Sequence, residues 1–320
     1  MAPRRECRRV TTADVGTVRP AARMASEPTL SAVVVAHNEA TRLPDCLASL
    51  SFADEIVVLL DRCTDCSRQV ATPFADRIIE GAWPREAARR STAIAAASGD
   101  WIFEADADER VSPALAAEIR LVIRHSSAAW HLVGVDNYIG DRLVRWGWGA
   151  FFGRSAHAGL YRRGVKSWRD DRVLHASVSL TGPQGPDLEE RLTHLVDRNI
   201  SDMLIRLDRY TSLRAQDLRS SGDIGSFAHN LRRIVSRFWK CYVGRRGYRE
   251  GLWGFLIALC AALYPILSYL KARLEPGDSA EGATRPSAPA TALMRADGAG
   301  GPETTEAIAA NQGSGGHAAD

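Results

Sequence analysis

The sequence predicts an α/β domain with a mostly parallel sheet, followed by helices of a different composition. Short apolar runs alternate with stretches of helical spacing through the first third of the chain, as in right-handed βαβ units. Three of the four runs also end in an acidic residue, and ligands of open α/β sheets bind at the carboxyl ends of the strands. We therefore expect one edge of the sheet to carry an acidic binding site.

Four apolar runs are the predicted strands. Runs of this length without polar alternation suit parallel strands that are buried on both faces. Leucines recur at helical spacing between residues 43 and 50, and an alanine-rich helical stretch covers 85–97. The four runs are 30–36, 56–60, 77–79 and 101–105.

The acids at the strand ends are Glu39, Asp61 and Asp106. Any one of them alone is typical of a helix N-cap or first turn. Asp108 stands two residues after Asp106, so on extended backbone both carboxylates point to the same side. Paired hard oxygens suit Mg²⁺ or Mn²⁺, which complete their shell with phosphate oxygens and water. The pattern predicts a metal site at Asp106 and Asp108, against the alternative of a solvated acidic turn.

Composition argues against several other classes of protein. The formal net charge of +3 is too small to favour a nucleic-acid partner. No glycine-rich phosphate fingerprint follows the first run, which argues against dinucleotide-dependent dehydrogenases and P-loop enzymes. The six cysteines lack the spacing of a disulfide framework and favour a reducing, cytoplasmic setting.

Four sequence blocks, in this order, resemble family 2 glycosyltransferases. They are 33–39, 54–61, 99–101 and 106–109, and the resemblance extends over about 30–273. Within the family, the chain is most similar to lipopolysaccharide core glucosyltransferases of the WaaE/KdtX type. The resemblance implies a GT-A fold (Rossmann-like), a nucleotide-sugar donor such as a UDP-sugar, a divalent cation, and inversion at the anomeric carbon.

The resemblance also implies roles for individual residues. Glu39 and Asp61 would contact the nucleoside, and Asp106 would serve the ribose and, with Asp108, the metal-bound diphosphate. Arg90 stands where the motif carries a basic residue that binds the donor. Two positions depart from the usual pattern, because Ser91 replaces an asparagine and Arg62-Cys63 replaces Ser-Gly.

The catalytic base is the least defined part of the expected site. Inverting transfer needs a base that takes the proton of the acceptor hydroxyl. Relatives often carry Val-His-Glu in the matching stretch, whereas Ala176 stands at the position of that glutamate here. Asp171 and Asp170 are the nearest carboxylates, and His175 could act as the base itself. The alternative is an acidic turn beside a structural histidine.

The C-terminal third predicts contact with a membrane. An amphipathic helix is expected over 201–220, and a basic, aromatic stretch at 230–249 precedes an apolar one at 252–270. This arrangement is typical of a membrane interface met from the cytoplasmic side, although 252–270 could also be a buried core helix. The expected domains are a disordered leader (1–28), the glycosyltransferase domain (29–200), a helical membrane-associated region (201–274) and a disordered tail (275–320).

Taken together, the sequence predicts a metal-dependent, inverting transfer of a sugar from a nucleotide donor to an envelope glycolipid. The acceptor would be a lipopolysaccharide core intermediate, at the cytoplasmic face of the inner membrane. Two alternatives remain open: a polyprenyl-phosphate acceptor, and an inactive nucleotide-binding scaffold suggested by the altered Val-His-Glu position. A nucleotidyltransferase is disfavoured because the chain lacks a glycine-rich donor loop.

Overall fold

The computed structural model describes residues 27–149, 153–169 and 177–275. These contain eleven strands. The strands are β1 (Leu30–Ala36), β2 (Glu55–Asp61), β3 (Arg77–Gly81), β4 (Trp101–Asp106), β5 (Glu109–Arg110), β6 (Trp130–Ile139), β7 (Arg142–Val144), β8 (Ala156–Arg162), β9 (Lys166–Arg169), β10 (Ser177–Leu180) and β11 (Arg191–Asp197).

Seven α-helices accompany the strands in the described part of the chain. They are α1 (Leu43–Ser49), α2 (Ser67–Ala71), α3 (Glu86–Ala95), α4 (Pro113–His125), α5 (Ile200–Ser220), α6 (Phe227–Trp239) and α7 (Leu252–Leu274). A π-helical turn (Lys240–Gly244) and a 3-10 turn (Gly247–Glu250) join α6 to α7.

Nine strands form one sheet in the order β3-β2-β1-β4-β8-β6-β11-β5, with β7 paired to β6. The four strands predicted from the sequence are adjacent and parallel, so the α/β fold class is confirmed. The strands that the sequence did not identify make the sheet mixed, because β8 runs antiparallel to both β4 and β6. Strands β9 and β10 form a separate antiparallel pair.

Helices cover both faces of the parallel strands. Leu30 and Val34 of β1 point to one face, where they join the buried side chains of α1 and α4. Val33 and its neighbours on β2 and β4 point to the other face and pack with α3. Because every residue of these strands has a covered side, their sequences read as continuous apolar runs.

The C-terminal helices form a second buried cluster against the end of the sheet. Ile257, Ala261 and Tyr264 of α7 pack with Met203 and Leu207 of α5. The same cluster includes Ile139 of β6, Val144 of β7 and Trp148, so α7 packs against this end of the sheet. Asn199 and Ser226 cap α5 and α6 by accepting hydrogen bonds from backbone amides in the first turn.

Some expectations fall outside the described residues. The leader and nearly all of the tail lie there, as does the segment 170–176 between β9 and β10. The domain boundaries therefore remain predictions. The apolar helix extends four residues beyond the predicted Leu270, and most of its residues are buried inside the protein.

Candidate active site

The ends of β1, β2 and β4 bring the predicted acids to one edge of the sheet. These strands are neighbours in parallel register, with Val35 opposite Asp106 and Ala36 opposite Leu60. Glu39 follows β1 and lies close enough to Asp106 and Asp108 for their charges to affect its pKa. Of the three acids predicted to converge, Glu39 and Asp106 therefore lie close together, with Asp108 beside them, whereas Asp61 is not among the charges that affect Glu39. Their roles stay predictions.

Two residues with left-handed backbone shape the loops that follow β1 and β2. Asn38 has φ of 55° and Arg62 has φ of 52°, a conformation uncommon for residues other than glycine. The side-chain oxygen of Asn38 accepts hydrogen bonds from the backbone amides of Thr64 (2.7 Å) and Asp65 (3.3 Å). Backbone strain of this kind is typical of ligand-binding loops, and here Arg62 adopts it where relatives carry Ser-Gly.

Asp61 is fully buried, and cationic and backbone donors surround its carboxylate. Arg62 donates two hydrogen bonds of 3.0 Å to it, Arg89 donates one of 3.2 Å, and the amide of Trp83 donates one of 3.1 Å. Burial alone would raise the pKa of Asp61, but these donors hold it below its ordinary value. The Arg62 side chain is itself 44% exposed.

Asp106 lies between two buried arginines. Arg90 donates to one carboxylate oxygen at 3.3 Å, and Arg154 donates to the other at 3.2 Å. Burial alone would raise the pKa of Asp106, but the two guanidiniums outweigh it and lower that pKa well below its ordinary value. Arg154 also pairs with Glu109 at 2.6 Å, and the ring of Trp168 lies 5.0 Å from the Arg90 guanidinium carbon. The sequence analysis identified Arg90 but not Arg154 or Trp168.

Asp108 contacts a histidine that the sequence analysis missed. The Nε2 atom of His194, on β11, lies 3.1 Å from a carboxylate oxygen of Asp108. Its Nδ1 atom lies 2.8 Å from the side-chain oxygen of Asn137, whose amide nitrogen donates to the carbonyl oxygen of Arg154. Because that amide oxygen can only accept, Nδ1 carries a proton. Burial lowers the pKa of His194, but the Asp108 carboxylate outweighs this effect and raises that pKa above its ordinary value, so in the imidazolium Nε2 also carries a proton and donates it to Asp108. Loss of the Nε2 proton leaves its lone pair directed at the same point as the Asp108 oxygen.

This arrangement fits a divalent cation. A carboxylate and an imidazole nitrogen converge on one point, and the hydrogen bond from the second ring nitrogen fixes the tautomer. No cluster of three or more potential protein ligands occurs in the part of the chain that the structure describes. Mg²⁺ and Mn²⁺ often take few protein ligands and complete their shell with phosphate oxygens and water. Burial, followed by the charge of Asp108, raises the pKa of Glu39 to about 8.

A buried ion pair lies beside Arg90 and Arg154. Lys166 and Glu104 form an ion pair inside the protein, and the Lys166 ammonium lies 5.1 Å from the rings of both Tyr161 and Trp168. Burial lowers the pKa of Lys166, although Glu104 opposes this effect. Alternation along β9 places Lys166 and Trp168 on the same face, but the sequence analysis had not recognised 166–169 as a strand.

The structure describes some of the remaining candidate residues and not others. Asp170, Asp171 and His175, the proposed bases, lie outside the described residues and stay predictions. Trp148 is buried in the core shared with the C-terminal helices. Trp146 is 36% exposed, and the guanidiniums of Arg246 and Arg249 lie over its ring.

Comparison with known proteins gives three findings. Residues 31–169 match the family described as Glycosyl transferase family 2. The lipopolysaccharide core biosynthesis glycosyltransferase LpsC of Rhizobium meliloti is 24% identical over 254 residues, which cover 76% of this chain and 91% of LpsC. An uncharacterized glycosyltransferase of Rickettsia felis is 24% identical over 257 residues, which cover 76% of this chain and 89% of that protein.

Among solved structures, a similar chain is glucosyl-3-phosphoglycerate synthase from Mycobacterium tuberculosis in complex with Mn²⁺, uridine diphosphate and glucosyl-3-phosphoglycerate. The identity is 22% and the TM-score is 0.30. The match covers 35% of this chain and 44% of that one, which is less than half of its length.

Proposed function

We propose a substrate class and a mechanism for this chain, which is a glycosyltransferase with a glycosyl transferase family 2 domain at residues 31–169. It transfers a sugar from a nucleotide-sugar donor to a glycolipid, with inversion at the anomeric carbon and with the help of a divalent cation. The observation that carries the metal-dependent part of the proposal is the pairing of Asp108 with His194 at 3.1 Å.

Asp108 and His194 would hold Mg²⁺ or Mn²⁺ at the end of β4. When bound, the cation supplies positive charge that stabilises the leaving diphosphate. Arg90 and Arg154 already lie beside Asp106, so their guanidiniums are placed to stabilise the same developing charge without reorganisation. Asn137 keeps the His194 ring oriented while the donor enters and leaves.

The remaining donor contacts follow from the strand ends. Glu39 and Asp61 contact the nucleoside of a UDP-sugar, and Arg62 moves away from Asp61 when the donor binds. Asp106 contacts the ribose. Asp171 accepts the proton from the attacking acceptor hydroxyl, with Asp170 and His175 as the alternative bases.

The acceptor is a glycolipid of the lipopolysaccharide core type, met at the cytoplasmic face of the cell membrane. The support is the likeness to LpsC, whose name places it in lipopolysaccharide core biosynthesis and which matches over most of both chains. The basic, aromatic segment between α6 and α7 also suits a substrate embedded in an anionic membrane.

The test measures Mn²⁺ binding and donor use together. Mn²⁺ is titrated into the protein and followed by electron paramagnetic resonance, and UDP release is measured with a panel of UDP-sugars. We expect His194→Ala to weaken Mn²⁺ binding and to abolish UDP release, while His125→Ala, at an exposed position on α4, changes neither. Wild-type turnover in His194→Ala, or full activity in excess EDTA, would contradict the proposed metal role.

A further inference from the structure

Helix α6 carries an apolar stripe that the rest of the described protein leaves uncovered. Leu231, Val235 and Trp239 are 50%, 71% and 64% exposed. They recur every fourth residue and therefore share one face of the helix, here called the α6 face. Exposed apolar residues at this spacing mark a contact surface more often than scattered ones do.

The side of α6 next to this stripe is already in use. Phe238 packs on Phe255 of α7, with ring centroids 5.6 Å apart, and Phe227 lies 6.2 Å from Tyr269. These two contacts show that α6 and α7 run antiparallel and that α6 is held firmly on the protein. Phe255 is itself 46% exposed, so the apolar surface continues from α6 onto the start of α7.

Positive charge surrounds the α6 face. Seven cationic residues lie between 232 and 249: Arg232, Arg233, Arg237, Lys240, Arg245, Arg246 and Arg249. Within the described residues, no carboxylate lies within 4.0 Å of Arg232, Arg233 or Arg237. Glu250 follows these cationic residues in the chain. Its carboxylate accepts hydrogen bonds from the backbone amides of Arg145 and Trp146 and does not pair with the arginines of α6.

The neighbouring cations also repel each other. Burial, followed by the charges of Arg237 and Arg214, lowers the pKa of Arg233. Burial similarly lowers the pKa of Arg237, and the charge of Arg245 adds to this effect. Anionic groups outside the protein would relieve this repulsion, so the charge of the surface complements an anionic partner.

The helix with the composition of a membrane span is a different one. In the described part of the chain, α7 is the one helix long and apolar enough to cross a bilayer. However, its residues Ile257 and Ala261 are fully buried against α5 and the sheet. Lys271 of α7 also donates hydrogen bonds to Asp208 (2.6 Å) and Ser212 (2.8 Å) of α5. A membrane-spanning α7 would have to break all of these contacts.

We infer that the α6 face docks the folded protein onto an anionic lipid bilayer, with α6 lying in the plane of the interface. Leu231, Val235 and Trp239 enter the boundary between headgroups and acyl chains, and exposed cations such as Arg232 and Lys240 pair with anionic headgroups. Trp239 suits this depth because indole rings favour the membrane interface. The inference rests on the proposed function in one respect, the purpose of docking, which is to bring the active site to an acceptor embedded in the membrane.

Flotation of the full-length protein with vesicles tests the inference, in the absence of donor and acceptor. The vesicles contain phosphatidylcholine alone or phosphatidylcholine with phosphatidylglycerol. We expect binding to the anionic vesicles and a loss of at least about tenfold in affinity for the double variant Leu231→Asp/Val235→Asp. Leu121→Asp is the matched control, because Leu121 is 58% exposed on α4 and lies outside the α6 face.

A second pair of variants tests the charge independently of the apolar stripe. Arg232→Gln, which removes the exposed cation three residues before Val235 and seven before Trp239, should lower the affinity for anionic vesicles about fivefold. Arg163→Gln, in the exposed turn between β8 and β9, should leave it unchanged. Thermal melting of every variant establishes that each one is folded.

Three outcomes would overturn the inference. One is wild-type protein that does not bind anionic vesicles or binds neutral ones equally well. Another is a Leu231→Asp/Val235→Asp variant that floats like the wild type, as a spanning α7 predicts. The third is a wild-type dimer that this variant dissociates without any vesicle binding, which would assign the face to a second copy of the chain. An inactive enzyme that still binds vesicles would instead contradict the proposed function and leave the docking surface intact.

Discussion

The strand-end site and the α6 face are both rich in charge, but they differ in how that charge is compensated. At the strand ends, opposite charges meet inside the protein. Asp106 lies between Arg90 and Arg154, and Asp108 faces His194. Each group is held by its neighbours before any ligand arrives, as expected for a preorganised site that stabilises developing charge.

On α6, the described structure offers no such compensation. Arg232, Arg233 and Arg237 have no carboxylate within 4.0 Å among the described residues, and Arg232 is exposed beside the apolar stripe. Exposed charges of this kind are screened over about 8–10 Å at physiological salt, whereas buried pairs are screened much less. The comparison implies that ionic strength should affect membrane docking far more than it affects metal binding.

The largest expected effect comes from removing the carboxylate that faces His194. Asp108→Ala should lower sugar transfer by at least about 10³-fold, because the cation loses a ligand and the diphosphate loses its charge partner. Steady-state kinetics with saturating Mn²⁺ measures this, and circular dichroism checks the fold. Asp45→Ala is the control, because the Asp45 carboxylate is 78% exposed on α1. Loss of activity in the control as well would mean that any aspartate in this region is needed for stability.

The next effect tests whether α7 belongs to the core of the protein. Ala261 is fully buried, so Ala261→Asp places an unpaired charge inside and should lower the free energy of unfolding by about 3–5 kcal/mol. Leu259, on the same helix, is 36% exposed, and Leu259→Asp should cost about 1 kcal/mol or less. Urea unfolding without detergent measures both. Equal effects of the two substitutions would contradict the packing of α7 described here.

A smaller effect is expected from the residue that orients His194. Asn137→Ala should weaken Mn²⁺ binding by about 10–100-fold, because the imidazole loses the hydrogen bond that fixes its tautomer. Asn199→Ala removes a helix cap of α5 and should cost about 1 kcal/mol of stability without changing Mn²⁺ affinity. A titration followed by electron paramagnetic resonance separates the two. Unchanged Mn²⁺ affinity in Asn137→Ala would leave Asn137 with a structural role only.

The two regions also differ in what the sequence could predict. The strands β1 to β4 and the acids after them could be recognised because each signal lies within a few consecutive residues. His194 could not, since it meets Asp108 across 86 positions and only through the pairing of β11 with β5 and β6. Arg154 likewise reaches Asp106 from a segment without a local motif.

For the C-terminal helices, composition alone could not choose between the two expected environments of 252–270, a membrane and the core of the protein. The stretch 252–270 is the most apolar of the chain, and apolarity predicts burial without distinguishing a lipid from a protein environment. Tertiary packing decides between them, and here α5 and α6 cover most of α7. The stripe on α6 resembles the core-facing side of any amphipathic helix, so only the structure reveals that it is exposed.

The smallest expected effect concerns the buried carboxyl group of Glu39 at the strand ends. Glu39 has a pKa of about 8 in the folded protein against an ordinary value of 4.5, because burial and Asp108 disfavour its ionised form. The folded state therefore keeps a proton that the unfolded chain releases, and stability falls as the pH rises from about 4.5 to 8. Glu39→Gln removes this loss and should be more stable than the wild type at pH 9, by on the order of 1–2 kcal/mol after allowance for solvent screening. Urea unfolding at pH 5 and pH 9 in EDTA measures the difference, with Glu189→Gln as an exposed control. A Glu39→Gln variant that gains nothing between the two pH values would show that the strand-end site is as well compensated at Glu39 as it is at Asp106.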